Sequence, residues 1–400
     1  IATPVNPRSK PVYQMSQQEI DDLVDYMKVL DCDAVTGRWE DSVRIASVLP
    51  VSGAAAETGE VMRRVMEGYF AGINEDGGIF GRKIELMAVP MGQTPDASMN
   101  TLREAFDAEG IFAVVGAYSI GIDEALLGYL RSDNVPLIGP FTLDPGDAYI
   151  DANAYYLFSG FDEQARVLAD RALAEGTTAN KVVIAGPQTA RSEQLLRAAI
   201  SRVNEASGDA QANVETWTPG EFDGAEFAGK ITDNDIEALI FLGAQADLDA
   251  LLVELGDRNL APRIYLLSSL VSRPLIDLPA AFDKKVFIAY PTTSQDVSPR
   301  GREDYARIAE RHSLPREHVQ AQLASLAAAK LFVEGLRRAG RDASRARLVE
   351  GLEQLYNFET GVTPPLSYGP NRRIGALGAH IVTVDLGNRR YVPVGWYDAN

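Results

Sequence analysis

The sequence predicts an α/β protein with two doubly wound, mostly parallel sheets, on three grounds. Short apolar runs of strand length alternate with amphipathic stretches of helix length from residue 45 to beyond residue 258. The runs are nearly continuous in Val, Ile, Leu and Ala, as strands buried on both faces require. A chain of 400 residues carries too many such units for one sheet.

Ile45, Ala46, Val48 and Leu49 mark the first strand, which Ser52-Gly53 breaks. Met62, Met66, Tyr69 and Ile73 then recur at offsets of four, seven and eleven, on one face of a helix beginning near Thr58. Asn74-Glu75-Asp76-Gly77-Gly78 ends it, and the paired glycines allow the φ > 0 turn into a strand around 84–87. Further strands are predicted over 112–116, 136–140, 156–159, 182–186, 238–243 and 264–267. Helices are predicted over 95–109, 120–134, 162–175, 191–206 and 246–258. A cut near Gly160 divides these units into two lobes. Helical segments over 301–312, 316–340 and 344–358 follow, and the chain closes with a strand pair around Gly387-Asn388.

Composition excludes several classes of function. Lys+Arg 38 against Asp+Glu 56 gives a net charge of −18, with no basic stripe for phosphates, so no nucleic-acid partner is expected. No run reaches the ~18 apolar residues of a membrane span, and the start at Ile1 has neither the charged nor the apolar segment of a signal peptide, which a secreted precursor would already have lost. Cys32 is the only cysteine, so neither an intramolecular disulfide nor a Cys-rich zinc site can form. His312, His318 and His380 form neither a metal-ligand pair nor a nucleophile–His–acid set. Gly77–Gly81 follows a helix and precedes a strand, the reverse of a dinucleotide fingerprint. No enzyme activity, cofactor or metal is expected.

Three motifs carry a family resemblance: LPVSG at 49–53, INEDGGIFGRKIEL at 73–86, and YGPNRRIGALGAHIVTVD at 368–385. In these the chain resembles the type I periplasmic solute-binding proteins, the leucine/isoleucine/valine-binding family, over residues 42–397. The resemblance implies a clamshell with a three-strand hinge. Lobe 1 would comprise 43–160 plus 290–370, and lobe 2 would comprise 161–289 plus 371–400. It also implies a monomeric periplasmic protein that captures a small molecule between its lobes and delivers it to the permease of an ABC transporter. The alternative is a ligand-sensing or regulatory subunit built on the same clamshell.

The resemblance places ligand contacts at the carboxyl ends of strands. After the first strand these are Ser52 and Thr58, the latter serving either as ligand contact or as helix cap. Tyr118 and Ser119 follow the third strand, where the family's Ser holds a ligand carboxylate, and Phe141 and Thr142 follow the fourth. In the second lobe the family's Tyr-Gly pair is replaced by Ala190-Arg191, its aromatic position by Gln245, and its acidic ammonium partner by Ser268. An α-ammonium would lack its charged partner, so leucine-like ligands are expected to bind poorly. A small polar or aromatic carboxylate or amide is expected instead, and Arg191 is either a fork for an oxyanion or a solvated surface residue.

Residues 1–42 stand apart. Ser16 and Glu19 form a capping box, and Ile20, Leu23, Val24, Met27 and Leu30 share one face. The wording SKPVYQMSQQEIDDLVDYMKVLD resembles the closing helix of a c-type cytochrome, although Cys-x-x-Cys-His is absent and no haem can attach. The segment is therefore expected to be either a helix docked on lobe 1 or the remnant of a truncated cytochrome fusion, the latter pointing to a cytochrome or dehydrogenase partner.

Overall fold

The computed structural model describes residues 16, 37–39, 41–143, 145, 153–174, 176–208, 211–271 and 274–399. The cytochrome-like helix lies outside the described residues. In chain order the first elements are β1 (Ser42–Leu49), α1 (Ala56–Glu75), β2 (Lys83–Pro90), α2 (Pro95–Glu109), β3 (Ala113–Val115), α3 (Asp123–Ser132), β4 (Leu137–Ile138) and β5 (Ala154–Phe158). Next come α4 (Phe161–Leu173), β6 (Val182–Pro187), α5 (Ala190–Ser207), β7 (Asn213–Trp217), α6 (Gly224–Asp233), β8 (Ala238–Phe241), α7 (Gln245–Asp257), β9 (Arg263–Leu267) and β10 (Val286–Tyr290). The chain finishes with α8 (Pro299–Arg311), α9 (Val319–Ala339), α10 (Arg345–Glu353), β11 (Ile374–Ala376), β12 (Gly378–Asp385) and β13 (Arg390–Asp398).

The strands form two sheets. One is six-stranded, in the order β11-β5-β4-β3-β1-β2, and every pairing in it is parallel. The other is seven-stranded, in the order β13-β12-β10-β9-β8-β6-β7, with antiparallel pairing only where β12 meets β10 and β13. Both are covered on both faces, which explains the continuous apolar runs. In β1, Ile45 and Leu49 join the core under α1 and α9, while Ala46 and Val48 join the one under α2 and α3. In β6, Val182 and Ile184 pack on one face while Val183 and Ala185 pack on the other.

The motif around residue 74 has a physical reason. The Asn74 side chain donates to the Ile84 carbonyl at 2.9 Å and accepts the Ile84 N–H at 2.8 Å, so a side-chain amide clamps the end of α1 to the start of β2. Gly78 at φ 73° makes the turn between them, where a Cβ would lie 2.0 Å from the Arg82 carbonyl oxygen.

Among the described residues the chain passes between the sheets three times: after β5, after β10, and between β11 and β12. The third passage falls at Leu377 and not after residue 370, because Ile374 and Ala376 pair with Tyr156 and Phe158 of β5. Helices α8, α9 and α10 contribute Ile308, Phe332 and Leu348 to the core of the six-stranded sheet. Two helix expectations need correction. Helix α1 starts at Ala56 with Ala55 as an N-cap lacking a side-chain bond, so Thr58 lies inside the first turn and does not cap it. Helix α10 stops at Glu353, and Phe358 instead makes a bridge with Leu366.

Candidate functional site

Each sheet has a switch point, with β1 lying between β2 and β3 and β6 between β7 and β8. Strand order reverses there, so loops at the carboxyl ends diverge and leave a crevice. A cavity of about 270 Å³ lies between the sheets, deep against the inter-lobe passages. Phe141, Thr142 and Leu143 reach it from beyond β4, Phe158 and Ser159 from the first passage, and Phe161 and Gln164 from the start of α4. Ser268 and Ser269 close it from beyond β9, Tyr290 and Thr292 from the second passage, and Gln320 and Ala324 from α9.

The lining is aromatic and uncharged. Among the described residues that line it none is Asp, Glu, Lys, Arg or His. Burial pushes the Tyr290 phenol above its ordinary value, helped by Tyr391 nearby, so at neutral pH it remains an O–H donor. Asp162 and Glu163 occupy the first turn of α4 and offset the positive end of its dipole. Gln164 is 2% exposed. Its Nε2 donates to the Ser159 carbonyl at 3.3 Å, which fixes the amide orientation, and its Oε1 has no partner among the described residues.

The passages are tied to one another. Ser159 Oγ donates to the Gly378 carbonyl at 2.5 Å, linking the first passage to the third. The Asp296 carboxylate accepts from Thr292 Oγ1 at 3.0 Å and from the Thr293 N–H at 2.7 Å, and it faces His380 Nε2 of β12 at 2.8 Å. An ionised carboxylate only accepts, so this nitrogen carries the proton. Thr292 is thus both cavity wall and part of the hinge.

The residues expected at the site divide in two. Phe141, Thr142 and Ser268 line the cavity. Tyr118, whose ring lies 6.0 Å from that of Phe141, stands behind the wall. Ser119 is 1% exposed, and its hydroxyl donates to Asp123 Oδ1 at 2.6 Å in the first turn of α3. Ser52 is exposed and accepts from Gln93 Nε2 at 3.0 Å, while the Thr58 hydroxyl pairs with His318 Nδ1 at 3.2 Å. Gln245 donates to Asp249 Oδ1 within α7. Arg191 is exposed and its guanidinium lies 4.5 Å over the Phe161 ring, so it touches the site only through that ring. Arg191→Ala is therefore expected to cost at most about 0.5–1 kcal/mol of stability, measured by chemical denaturation. Sequence reasoning missed Gln164, Tyr290, Thr292 and Gln320.

Two doubly wound sheets, three passages and a cavity between them define the architecture of a bilobal binding protein. The chain belongs to the periplasmic binding protein family, whose model matches residues 42–388. It is 24% identical over 219 residues to Leu/Ile/Val-binding protein homolog 3 of Brucella melitensis biotype 1, which covers 54% of this chain and 59% of that protein. The match thus spans about three fifths of that relative. Among solved structures, a putative branched-chain amino acid ABC transporter from Rhodospirillum rubrum superposes with a TM-score of 0.72 at 19% identity, covering 88% of this chain and 100% of its own. An ABC transporter substrate-binding protein from Desulfitobacterium hafniense gives 0.68 at 16% identity, with 88% and 100% covered. Among the described residues no helix is long and apolar enough to cross a membrane.

Proposed function

We propose that this protein captures a small molecule with an apolar or aromatic body and a carboxylate- or amide-type head, and presents it in the periplasm to the permease of an ABC transporter. It acts as a monomer and performs no chemistry on the ligand. The lobes are taken as 43–160 with 290–376, and 161–289 with 377–400. The observation that carries this reading is the cavity, because its walls come from both lobes and from two passages. A ligand touching both lobes favours the closed arrangement by its differential affinity for it. Membership of the periplasmic binding protein family supports the role in capture.

Ser269→Trp provides the test. Ser269 is exposed on the second-lobe wall, so an indole there fills the cavity mouth without entering a core. A thermal-shift screen of small carboxylates and amides should find a stabilising ligand, and about 2.7 kcal/mol is expected at one hundred times Kd. The same ligand should raise the melting temperature of the wild type and leave that of Ser269→Trp unchanged. A shift retained in the variant would remove the cavity reading.

A further inference from the structure

We infer that Asp296, His380 and Trp396 form a latch across the hinge, and that this latch decides the resting arrangement of the two lobes. Its ends belong to different lobes. Asp296 closes the short helical turn Ser294–Asp296, and the residues after it are fixed to the first lobe. Val297 packs against the core of the six-stranded sheet, and the Ser298 N–H donates to the Gly361 carbonyl at 3.0 Å. His380 lies in β12, between β10 and β13 of the seven-stranded sheet, and so moves with the second lobe. Between these anchors His380 Nε2 meets both carboxylate oxygens of Asp296, at 2.8 and 3.0 Å. The two side chains are only 16% and 8% exposed, so water competes little for this charge-assisted bond.

Trp396 backs the bond. Its ring stands edge-on to that of His380 with centroids 4.9 Å apart, and although it belongs to β13 it packs against the core of the first lobe. Gly378, at the third passage, makes room for it, because a Cβ there would lie 2.8 Å from the indole. Asp296 also accepts from Thr292, a wall of the cavity, so the latch and that wall are set together. A rotation of the lobes about the passages shifts Asp296 relative to His380 and the indole relative to its seat. A protein with two arrangements commonly holds the minor one at about 0.1–10% of the population. A charge-assisted hydrogen bond is worth roughly tenfold to a hundredfold in such an equilibrium, so its loss brings the minor arrangement into view.

Double electron–electron resonance on the full chain tests this with no ligand present. Val51→Cys on the first lobe and Val253→Cys on the second give exposed sites for nitroxide labels, in a Cys32→Ser background that leaves no other thiol. The parent should show one main distance. His380→Phe keeps a ring against Trp396 and removes the donor, so it should add a second distance whose share is roughly tenfold or more above the parent's. His380→Gln restores an N–H toward Asp296 and should return the distribution to the parent's. Asp296→Asn combined with His380→Phe should match His380→Phe alone, because the two residues act through one bond. Trp396→Leu empties the seat in the first lobe and leaves the bond in place, so it should broaden the distribution even if His380→Phe does not fold. Unchanged distances in His380→Phe, a second distance that His380→Gln does not reduce, or an unchanged distribution in Trp396→Leu would overturn the inference. These distances do not depend on Ser269→Trp, so the latch and the cavity reading stand or fall separately.

Discussion

Arg373→Ala is expected to destabilise the protein by about 3–5 kcal/mol, far more than the loss of an exposed charge would. Arg373 is 6% exposed, donates to Glu353 Oε1 at 2.7 Å, to the Tyr155 hydroxyl at 2.9 Å and to the Gly369 carbonyl at 3.3 Å, and stacks 4.8 Å from the Tyr155 ring. Truncation leaves the Glu353 carboxylate, itself mostly buried, without its counter-charge. It also leaves β11 without the side chain that anchors it beside β5 and α10. Urea denaturation should show a lower midpoint with an unchanged slope. Removing both charges together, as Arg373→Met with Glu353→Leu, should recover a substantial part of the loss, because no orphaned ion remains. Equal losses in the single and double variants would mean that packing, and not the charge pair, holds this corner.

Gly139→Ala is expected to cost about 2–5 kcal/mol and to disturb the cavity as well. Gly139 has φ 59°, where a Cβ is strained, and that Cβ would stand 2.5 Å from the Ala328 Cβ and 2.9 Å from its Cα. The close approach lets β4 end against α9 and aims Phe141 and Thr142 at the cavity. A methyl group there must push either the helix or the loop, and Ala324, one turn before Ala328, is part of the same wall. Thermal melting should fall, and any ligand-induced shift should shrink further than the loss of stability alone explains. Ala328→Gly in the same chain should remove the contact with the Ala328 Cβ but neither the 2.9 Å contact with its Cα nor the backbone strain, so recovery should be partial.

The fold was legible where both faces of a strand are buried, since a run such as Ile45 to Leu49 must then be apolar throughout. β7 was not legible for the opposite reason. It lies at a sheet edge with Asn213 to Thr216 partly or fully exposed, so it offers no continuous apolar run, and five residues are too few for alternation to stand out. Helix α6, which the exposed N-cap Asp223 opens, was passed over with it. At the site, Phe141, Thr142 and Ser268 could be found because they follow strands directly. Gln164 follows none. Its signal is subtler: Phe161, Gln164, Ala165 and Leu168 share the buried stripe of α4, and a glutamine in an apolar stripe marks a polar group placed inside for a reason. Tyr290 ends β10, a strand that the sequence reading did not mark, and Thr292 lies in the connection that follows it, where no periodicity operates.

The pairing of β11 with β5 has a consequence for the birth of the protein. The six-stranded sheet begins at Ser42, yet its last strand ends at Ala376, and the helix covering its core runs over Val319–Ala339. At about 5–20 residues per second of synthesis, tens of seconds separate the first strand from the last. During that interval β5 exposes an unpaired edge and the sheet an uncovered apolar face, both of which invite aggregation. The first lobe therefore cannot close before Ala376 is made, and the second must wait for its own last strand, Arg390–Asp398, so neither half of the molecule is complete until the final stretch of the chain has been synthesised.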